Sequence, residues 1–347
     1  MKGKKIVALC LAGAVFASIL GGCGLNTEAT VATMQGETVS LGVANFMCRY
    51  QQVVSDESFR SYFGEDVWQQ DLYGNGSTFE ESVKSDVMET IHEMYTLKGH
   101  MDEYGVTISE DEKKAISEAA AAFIEGNSAE VLKELDATQE IVEEMLTLYT
   151  IQKKMQDAIY AEADTEVSDE EANMRAYTMV SLSTTSYYDS ESGSYANYTD
   201  EELALIEEDA KSIYDAIEEP EELESVAEEF GYEATTGTYD ADDTALDTSV
   251  KEALDKLKKG EMTSLITTDS GYYIARLDSE HDEDATEANR ESIIAERQDT
   301  LYTDTLSGWQ EDDGWTVDEK MLAKIQFTNA FTQTLDTEEV EGTESAE

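Results

Sequence analysis

Pro220 is the only proline among 347 residues, so little in this chain forbids helix, and helix boundaries are left to capping side chains and glycines. Ser40 opens a first helix. A second is capped by Ser77 or Thr78 with Glu80 or Glu81 three residues on, carries Phe79, Val83, Val87, Ile91, Met94 and Tyr95 as one apolar stripe, and ends at Gly105. Ser109-Glu110-Asp111-Glu112 is another capping box, starting an alanine-rich helix that stops near Gly126. A fourth helix, roughly Thr138 to Tyr160, places Ile141, Val142, Met145, Leu148, Met155 and Ile159 near one face. Ahead of them, Val31–Met34 and Thr38–Val39 flank Gln35-Gly36-Glu37 as a small extended segment around a turn. The first half is therefore expected to be mainly helical.

The period changes after Ser168-Asp169-Glu170-Glu171, where Arg175 to Ser183 reads as a first strand. A loop rich in Ser, Tyr and Gly (184–198), a helix near 199–218 broken by Pro220, and a short helix closed by Gly231 follow. A strand ending at Tyr239, a helix from Thr248 to Lys258, and two β-rich runs around Asp269-Ser270-Gly271 complete the segment as a closing hairpin. Another apolar helix, Thr286 to Trp309, precedes a short element opened by Trp315 and an acidic tail expected to be disordered.

The chain opens with Lys2, Lys4 and Lys5 and an uncharged run from Ile6 to Leu20, too short to span a bilayer comfortably. Basic start, apolar middle and small-residue exit read as a signal peptide, and Leu20-Gly21-Gly22-Cys23 resembles the bacterial lipobox. That resemblance implies a lipid on the Cys23 thiol and a membrane anchor, since each buried methylene adds roughly 0.8 kcal/mol. Cys10 leaves with the leader and Cys23 is acylated, so Cys48 alone remains and no disulfide can form within the mature chain. A formal net charge of −55 excludes nucleic-acid binding by phosphate neutralisation and repels anionic lipid headgroups. Attachment to a membrane therefore falls to the acyl group.

Several stretches taken together carry a family resemblance. Leu257-Lys258-Lys259-Gly260-Glu261-Met262-Thr263-Ser264 and Gly271-Tyr272-Tyr273-Ile274-Ala275-Arg276-Leu277 are similar to segments of parvulin-type peptidyl-prolyl isomerases. Val31 to Phe46 and Gly105 to Glu112 resemble the opening strand and a helix junction of the PrsA/SurA family of extracytoplasmic foldases. The resemblance implies an α+β chain of two domains: a mainly helical SurA-N-like chaperone domain and a parvulin-like domain with a small antiparallel sheet flanked by helices. The expected division is signal peptide 1–22, lipidated tether 23–30, helical domain 31–165, parvulin-like domain 166–285, a segment 286–330 returning to the helical domain, and a disordered tail 331–347.

The departures bear on chemistry. The family's two histidines, one on the first strand and one on the last, fall on Thr178 and Tyr273; its pocket phenylalanine falls on Val250, a second apolar site on Asp255, and a further pocket position on Met262. Thr178 and Tyr273 are able to exchange hydrogen bonds in place of the histidine pair. Isomerisation has to cross a barrier of about 18–20 kcal/mol with the help of an apolar, shaped pocket. The pattern implies weak or absent activity, with an active isomerase of altered site or a ligand-binding or adhesion lipoprotein as rival readings.

Other chemistry finds no footing. His92, His100 and His281 lack metal spacing, Asp189–Asp200 fails as a calcium loop because Ser194 stands at the glycine position, and Asp240, Asp242 and Asp243 read as an exposed acidic loop. The expected partners are unfolded or nascent secreted proteins and, through the lipid, the outer face of the cell membrane. No nucleotide, metal or other cofactor is expected, and a homodimer is left open. Client contacts are read on amphipathic helix faces and on methionines such as Met88, Met94, Met145 and Met155, although for any one of these ordinary core is the favoured reading, and the client-binding residues are left unassigned.

Overall fold

The computed structural model describes residues 25–189 and 193–327 and the backbone of 15–17 and 332–334, so Cys23 and its lipobox lie outside the described residues. Contacts divide the chain into one unit of residues 1–162 with 299–347 and a second of residues 163–298.

In the first unit, β1 (Thr30–Met34) and β2 (Glu37–Ser40) pair antiparallel across Gln35 at φ 47° and Gly36 at φ 91°. Two positive φ angles in succession give the turn the twist a tight hairpin needs. Ser40 then caps α1 (Leu41–Phe63), its hydroxyl accepting the Val43 N–H at 3.2 Å. Reciprocal capping boxes at Thr78/Glu81 and Ser109/Glu112 start α2 (Phe79–Gly99) and α3 (Glu110–Gly126); α4 (Ala129–Glu134) and α5 (Gln139–Tyr160) follow. Glycine 99, not 105, ends α2, and Met101 to Gly105 is turn.

The apolar stripes of α1, α2 and α5 meet in one core, where Met88, Met94 and Met145 are buried; Met155 is buried in an adjoining cluster with Leu97, Val106, Ile151 and Ile159. None of the four methionines is more than 3% exposed, which removes them as client contacts. A helical stripe marks which face is apolar without saying what covers it. Residues 25–29 are likewise docked rather than a free tether. Leu25 and Ala29 pack on the core, and the Leu41 and Gly42 N–H groups donate to Ala29 O at 2.7 Å and Thr27 O at 3.0 Å. Gly42 permits this approach: a Cβ there would stand 3.0 Å from Thr27 Cβ and 2.7 Å from the Ile141 side chain.

The second unit begins with α6 (Asp169–Ala172), capped by Ser168, and continues through β3 (Arg175–Ser183), β4 (Tyr187–Asp189), β5 (Ser194–Ala196), α7 (Asp200–Ala216), α8 (Leu223–Glu229), β6 (Ala234–Tyr239), α9 (Thr248–Leu254), β7 (Ile266–Thr267) and β8 (Gly271–Ser279). Its sheet runs β6-β3-β8-β7, all antiparallel. The stretch read as a loop after β3 instead holds the β4–β5 hairpin. Tyrosines favour pleated backbone, and Tyr188 meets Tyr195 edge-on across the ribbon at 5.6 Å.

The last long helix, α10 (Glu283–Gln310), crosses the division between units, and its final turns pack Leu301, Tyr302, Leu306 and Trp309 on the Leu97–Ile159 cluster of the first unit. β9 (Thr316–Val317) adds to β1, and α11 (Glu319–Leu322) leads Ile325 and Phe327 into the main core. Trp309 and Trp315 stack on His100 and His92 at 4.0 and 4.5 Å, while His92 Nε2 lies 2.6 Å from buried Asp313. The backbone of Thr332–Thr334 pairs antiparallel with that of Val15–Ala17, which lies within the span read as a leader.

Phe327 stands edge-on to Trp68 at 5.1 Å and is buried. Phe327→Ala is expected to cost about 3–5 kcal/mol in urea unfolding of the first unit; an unchanged midpoint would contradict its place in that core. Asp136, at φ 49°, tests the electrostatics. Burial, aided by nearby Glu134, pushes its carboxyl up to about 6 from 3.8, against the Leu25 N–H bond that lowers it. A raised folded pKa contributes stability fully present below 3.8 and lost as pH rises through about 6. Asp136→Asn, which also tolerates this φ, is therefore expected to stabilise the protein by about 1 kcal/mol at pH 7.5, discounted for solvent screening. That gain should vanish in melts below about pH 4.

Candidate functional site

The chemistry expected of the second unit depends on which side chains share a face of its sheet. β3 pairs with β8 so that Thr178 lies opposite Arg276, Met179 opposite Ala275, and Ser181 opposite Tyr273. Alternation then sends Thr178, Val180 and Leu182 to one side and Tyr177, Met179 and Ser181 to the other. On the first side, Val180, Leu182 and Ile274 are buried against Ile206, Ala210 and Ile213 of α7 and Leu223 and Ala227 of α8. On the second, α9 covers only part of the sheet: Val250 and Leu254 are buried with Tyr239, Ala275 and Leu277, while Tyr177, Met179, Ile266 and Tyr273 stay partly exposed.

The four positions assigned from the sequence therefore separate. Tyr273 and Val250 lie on the α9 side; Thr178 lies on the α7/α8 side, as does Met262, which bridges to Arg276 and packs on the α7/α8 cluster. Thr178 and Tyr273 exchange no hydrogen bond. The Thr178 hydroxyl donates to Asp278 Oδ2 at 2.5 Å and accepts from Arg276 Nη2 at 3.2 Å, whereas the Tyr273 hydroxyl is 2.8 Å from Ser270 Oγ. Val250, read from the sequence at the position of the pocket phenylalanine, is fully buried, and Asp255 is engaged by Arg175 and by the Tyr239 hydroxyl, each at 3.1 Å.

Arg276 organises the covered side. Its guanidinium reaches Glu224 at 2.8 and 2.9 Å, Asp278 at 2.6 Å and the Pro220 carbonyl at 3.1 Å, tying β8 to the corner before α8. The Glu224 hydrogen bonds raise the guanidinium's pKa, and Arg276 in turn holds the Glu224 carboxyl below its usual range. On the open side the shifts belong to phenols, with burial pushing both Tyr239 and Tyr177 upward. The Tyr177 ring lies over Gly237, where a Cβ would come within 2.6 Å of its Cζ, so that glycine lets the ring lie flat on β6.

The open face is thus lined by Tyr177, Met179, Ser181, Ile266 and Tyr273, of which only Tyr273 was singled out from the sequence. The signal for the rest was the parity of Tyr273's strand partner, obscured because β3 is apolar at both parities. Among the described residues no histidine or cysteine stands there. His92 and His100 belong to the first unit, His281 bonds Asn173 at 2.7 Å, and Cys48 is buried in the first unit with its thiol pushed up to about 12 by desolvation. Among the described residues no group of three or more His, Cys, Asp or Glu is placed to hold a metal ion. In the acidic loop, Asp240 and Asp243 accept backbone N–H groups of residues 242, 245 and 246 at 2.8–2.9 Å, which uses them as turn formers.

The fold is an α+β chain of two units, and a family match places a parvulin-type domain in the second. Residues 183–290 match the family described as the PPIC-type PPIASE domain, a span that contains Val250, Met262 and Tyr273 and begins at the last residue of β3, beyond Thr178. Among solved structures the chain is similar to the foldase protein PrsA of Lactococcus lactis, at 14% identity over 86% of this chain and 97% of that one, TM-score 0.33. It is similar also to PrsA of Bacillus cereus, at 16% identity over 74% and 97%, TM-score 0.30. A SurA-like chaperone of Campylobacter jejuni matches at 10% identity over 84% and 99%, TM-score 0.28. No curated protein matches.

Arg276→Met leaves the open face untouched, takes the guanidinium from Glu224 and leaves Asp278 with the Thr178 hydroxyl alone. It is expected to cost about 2 kcal/mol in unfolding of the second unit, with Arg276→Lys recovering part of it; equal stability of all three chains would contradict the tying role.

Proposed function

We propose that this chain is an extracytoplasmic foldase, anchored to the outer face of the cell membrane through Cys23, whose parvulin-type domain catalyses prolyl exchange weakly or not at all. The observation that carries the second clause is the content of the open face: phenols, a thioether and a hydroxyl around Tyr273, with every histidine and Cys48 engaged elsewhere. A partly exposed apolar face can still hold a prolyl segment, but lowering a barrier of about 18–20 kcal/mol asks for groups that stabilise the twisted amide. Buried Val250 also leaves the pocket position without an open ring face.

The reading fits the remaining observations. No helix among the described residues is long and apolar enough to cross a membrane. The support for a lipid on Cys23 is the leader and the Leu20-Gly21-Gly22-Cys23 motif of the sequence. Holding a client by reversible burial of its apolar surface needs no nucleotide or metal.

The test is a prolyl-isomerisation assay on the mature chain without its lipid, beside suppression of aggregation of an unfolded client. The proposal expects exchange at the uncatalysed rate and client kept soluble near equimolar chain. Acceleration abolished by Met179→Ala or Tyr273→Phe would establish a working altered site instead. Absence of suppression, together with one preferred partner, would favour a ligand-binding lipoprotein.

A further inference from the structure

We propose that the outer end of α1 and the loop that follows it form a docking surface for unfolded protein segments in which basic and apolar residues are interspersed. This rests on the foldase reading and names the client class and the place. Tyr62, Tyr73 and Phe63 are the outermost aromatics of the first unit, 83%, 66% and 49% exposed. They are not scattered. Tyr62 meets Phe63 at 6.5 Å, Phe63 meets Phe59 at 6.4 Å, Phe59 meets Phe79 at 4.9 Å, and Phe79 meets Tyr73 at 6.1 Å. Beneath, Phe79 stacks on buried Trp68 at 5.1 Å, and Trp68 Nε1 donates to Asp56 at 2.6 Å. The exposed rings thus rest on a rigid base, which lowers the ordering cost of binding.

Charge selects the occupant. From Asp56 to Asp86 the sequence holds eight carboxylates against two cations. Both cations are committed: Arg60 to Asp56 at 2.7 Å and Glu65 at 3.2 Å, Lys84 to Glu80 at 2.9 Å and the Ile325 carbonyl at 3.1 Å. A groove of about 370 Å³ opens beside Tyr73, lined by Glu81, Asp86 and the hydroxyls of Ser77, Ser82 and Ser85. Thr78 holds the Glu81 carboxyl below its usual range, so it is charged at neutral pH. A lysine or arginine next to an apolar residue satisfies both halves: the cation meets ring faces and carboxylates, and the apolar side chain covers Tyr62 and Phe63. A second copy of the chain does not fit, because its own charge of −55 would be brought against the same rim.

The test uses the full mature chain without lipid and a fluorescent unstructured peptide alternating Leu with Lys, beside the same peptide with Glu replacing Lys. The Lys peptide is expected to bind and to lose affinity between about 50 and 500 mM salt, and the Glu peptide to stay free. Tyr62→Ser with Tyr73→Ser, both outside the core, is expected to weaken binding at least about tenfold with an unchanged melting curve. Asp86→Asn should weaken it a few-fold. Equal binding of the two peptides, or full affinity in the double variant, overturns the surface. Aggregation suppression that survives in the double variant also overturns the surface while leaving the foldase reading standing. Peptide binding lost in the double variant, when the unmutated chain suppresses no aggregation, supports the surface and removes the foldase reading.

Discussion

The pairing of β3 with β8 is the constraint on which the second unit depends. Side chains alternate with a period of two, so placing Thr178 opposite Arg276 and Ser181 opposite Tyr273 assigns every neighbouring residue to a covered or an open face in one stroke. The covered face is committed twice, by apolar burial of Val180, Leu182 and Ile274 and by the Arg276 network with Thr178, Asp278 and Glu224. A slip of one residue would bury Met179 and Ser181 against α7 and α8 and strip the guanidinium of its partners, a double penalty that fixes the register. What remains open is therefore a consequence of what had to be closed.

The first unit meets a different constraint, a large net negative charge. Self-repulsion of that size favours expansion, and most ion pairs on its surface, such as Lys113–Glu110 or Lys153–Asp157, are exposed and worth little. Cohesion rests instead on apolar burial, part of it supplied by chain that returns after the whole second unit: Trp315, Ile325 and Phe327 enter the core formed by α1, α2 and α5. Two of the charges that go inside hold backbone from that same return, Arg49 on the Gln326 carbonyl and Lys84 on the Ile325 carbonyl, and Glu80 beside Lys84 accepts the Phe327 N–H.

Helices were the most legible part of the sequence, because capping boxes announce themselves locally: the one at Ser109/Glu112 forms where it was read, and of the two alternatives read at the start of α2 the pair Thr78/Glu81 forms. The strand at Arg175–Ser183 and the turn at Gln35-Gly36 were legible for the same reason. Face assignment was not. In β3, Tyr177 and Met179 are as apolar as Val180 and Leu182, so the alternation that normally tells inside from outside is blurred, and a placement on Thr178 falls one residue from the open face. The methionines of α2 and α5 are core, the reading favoured for each of them: periodicity shows that a stripe must be covered, and the covering came from within the chain. The Tyr62–Tyr73 surface carried no signal beyond aromatic content, since its exposure follows from the path of the loop at Gly64, Gly74 and Gly76, all at positive φ.

The most direct test of the face assignment is the reactivity of single thiols in the folded chain carrying Cys23→Ser, where native Cys48 stays silent through its burial. A cysteine at 181, beside Tyr273 on the open face, should react with a maleimide nearly as fast as in the unfolded chain. A cysteine at 178 should be protected until the second unit unfolds. The reverse pattern, with 178 reactive and 181 protected, would place Thr178 on the open face beside Tyr273 and contradict the account.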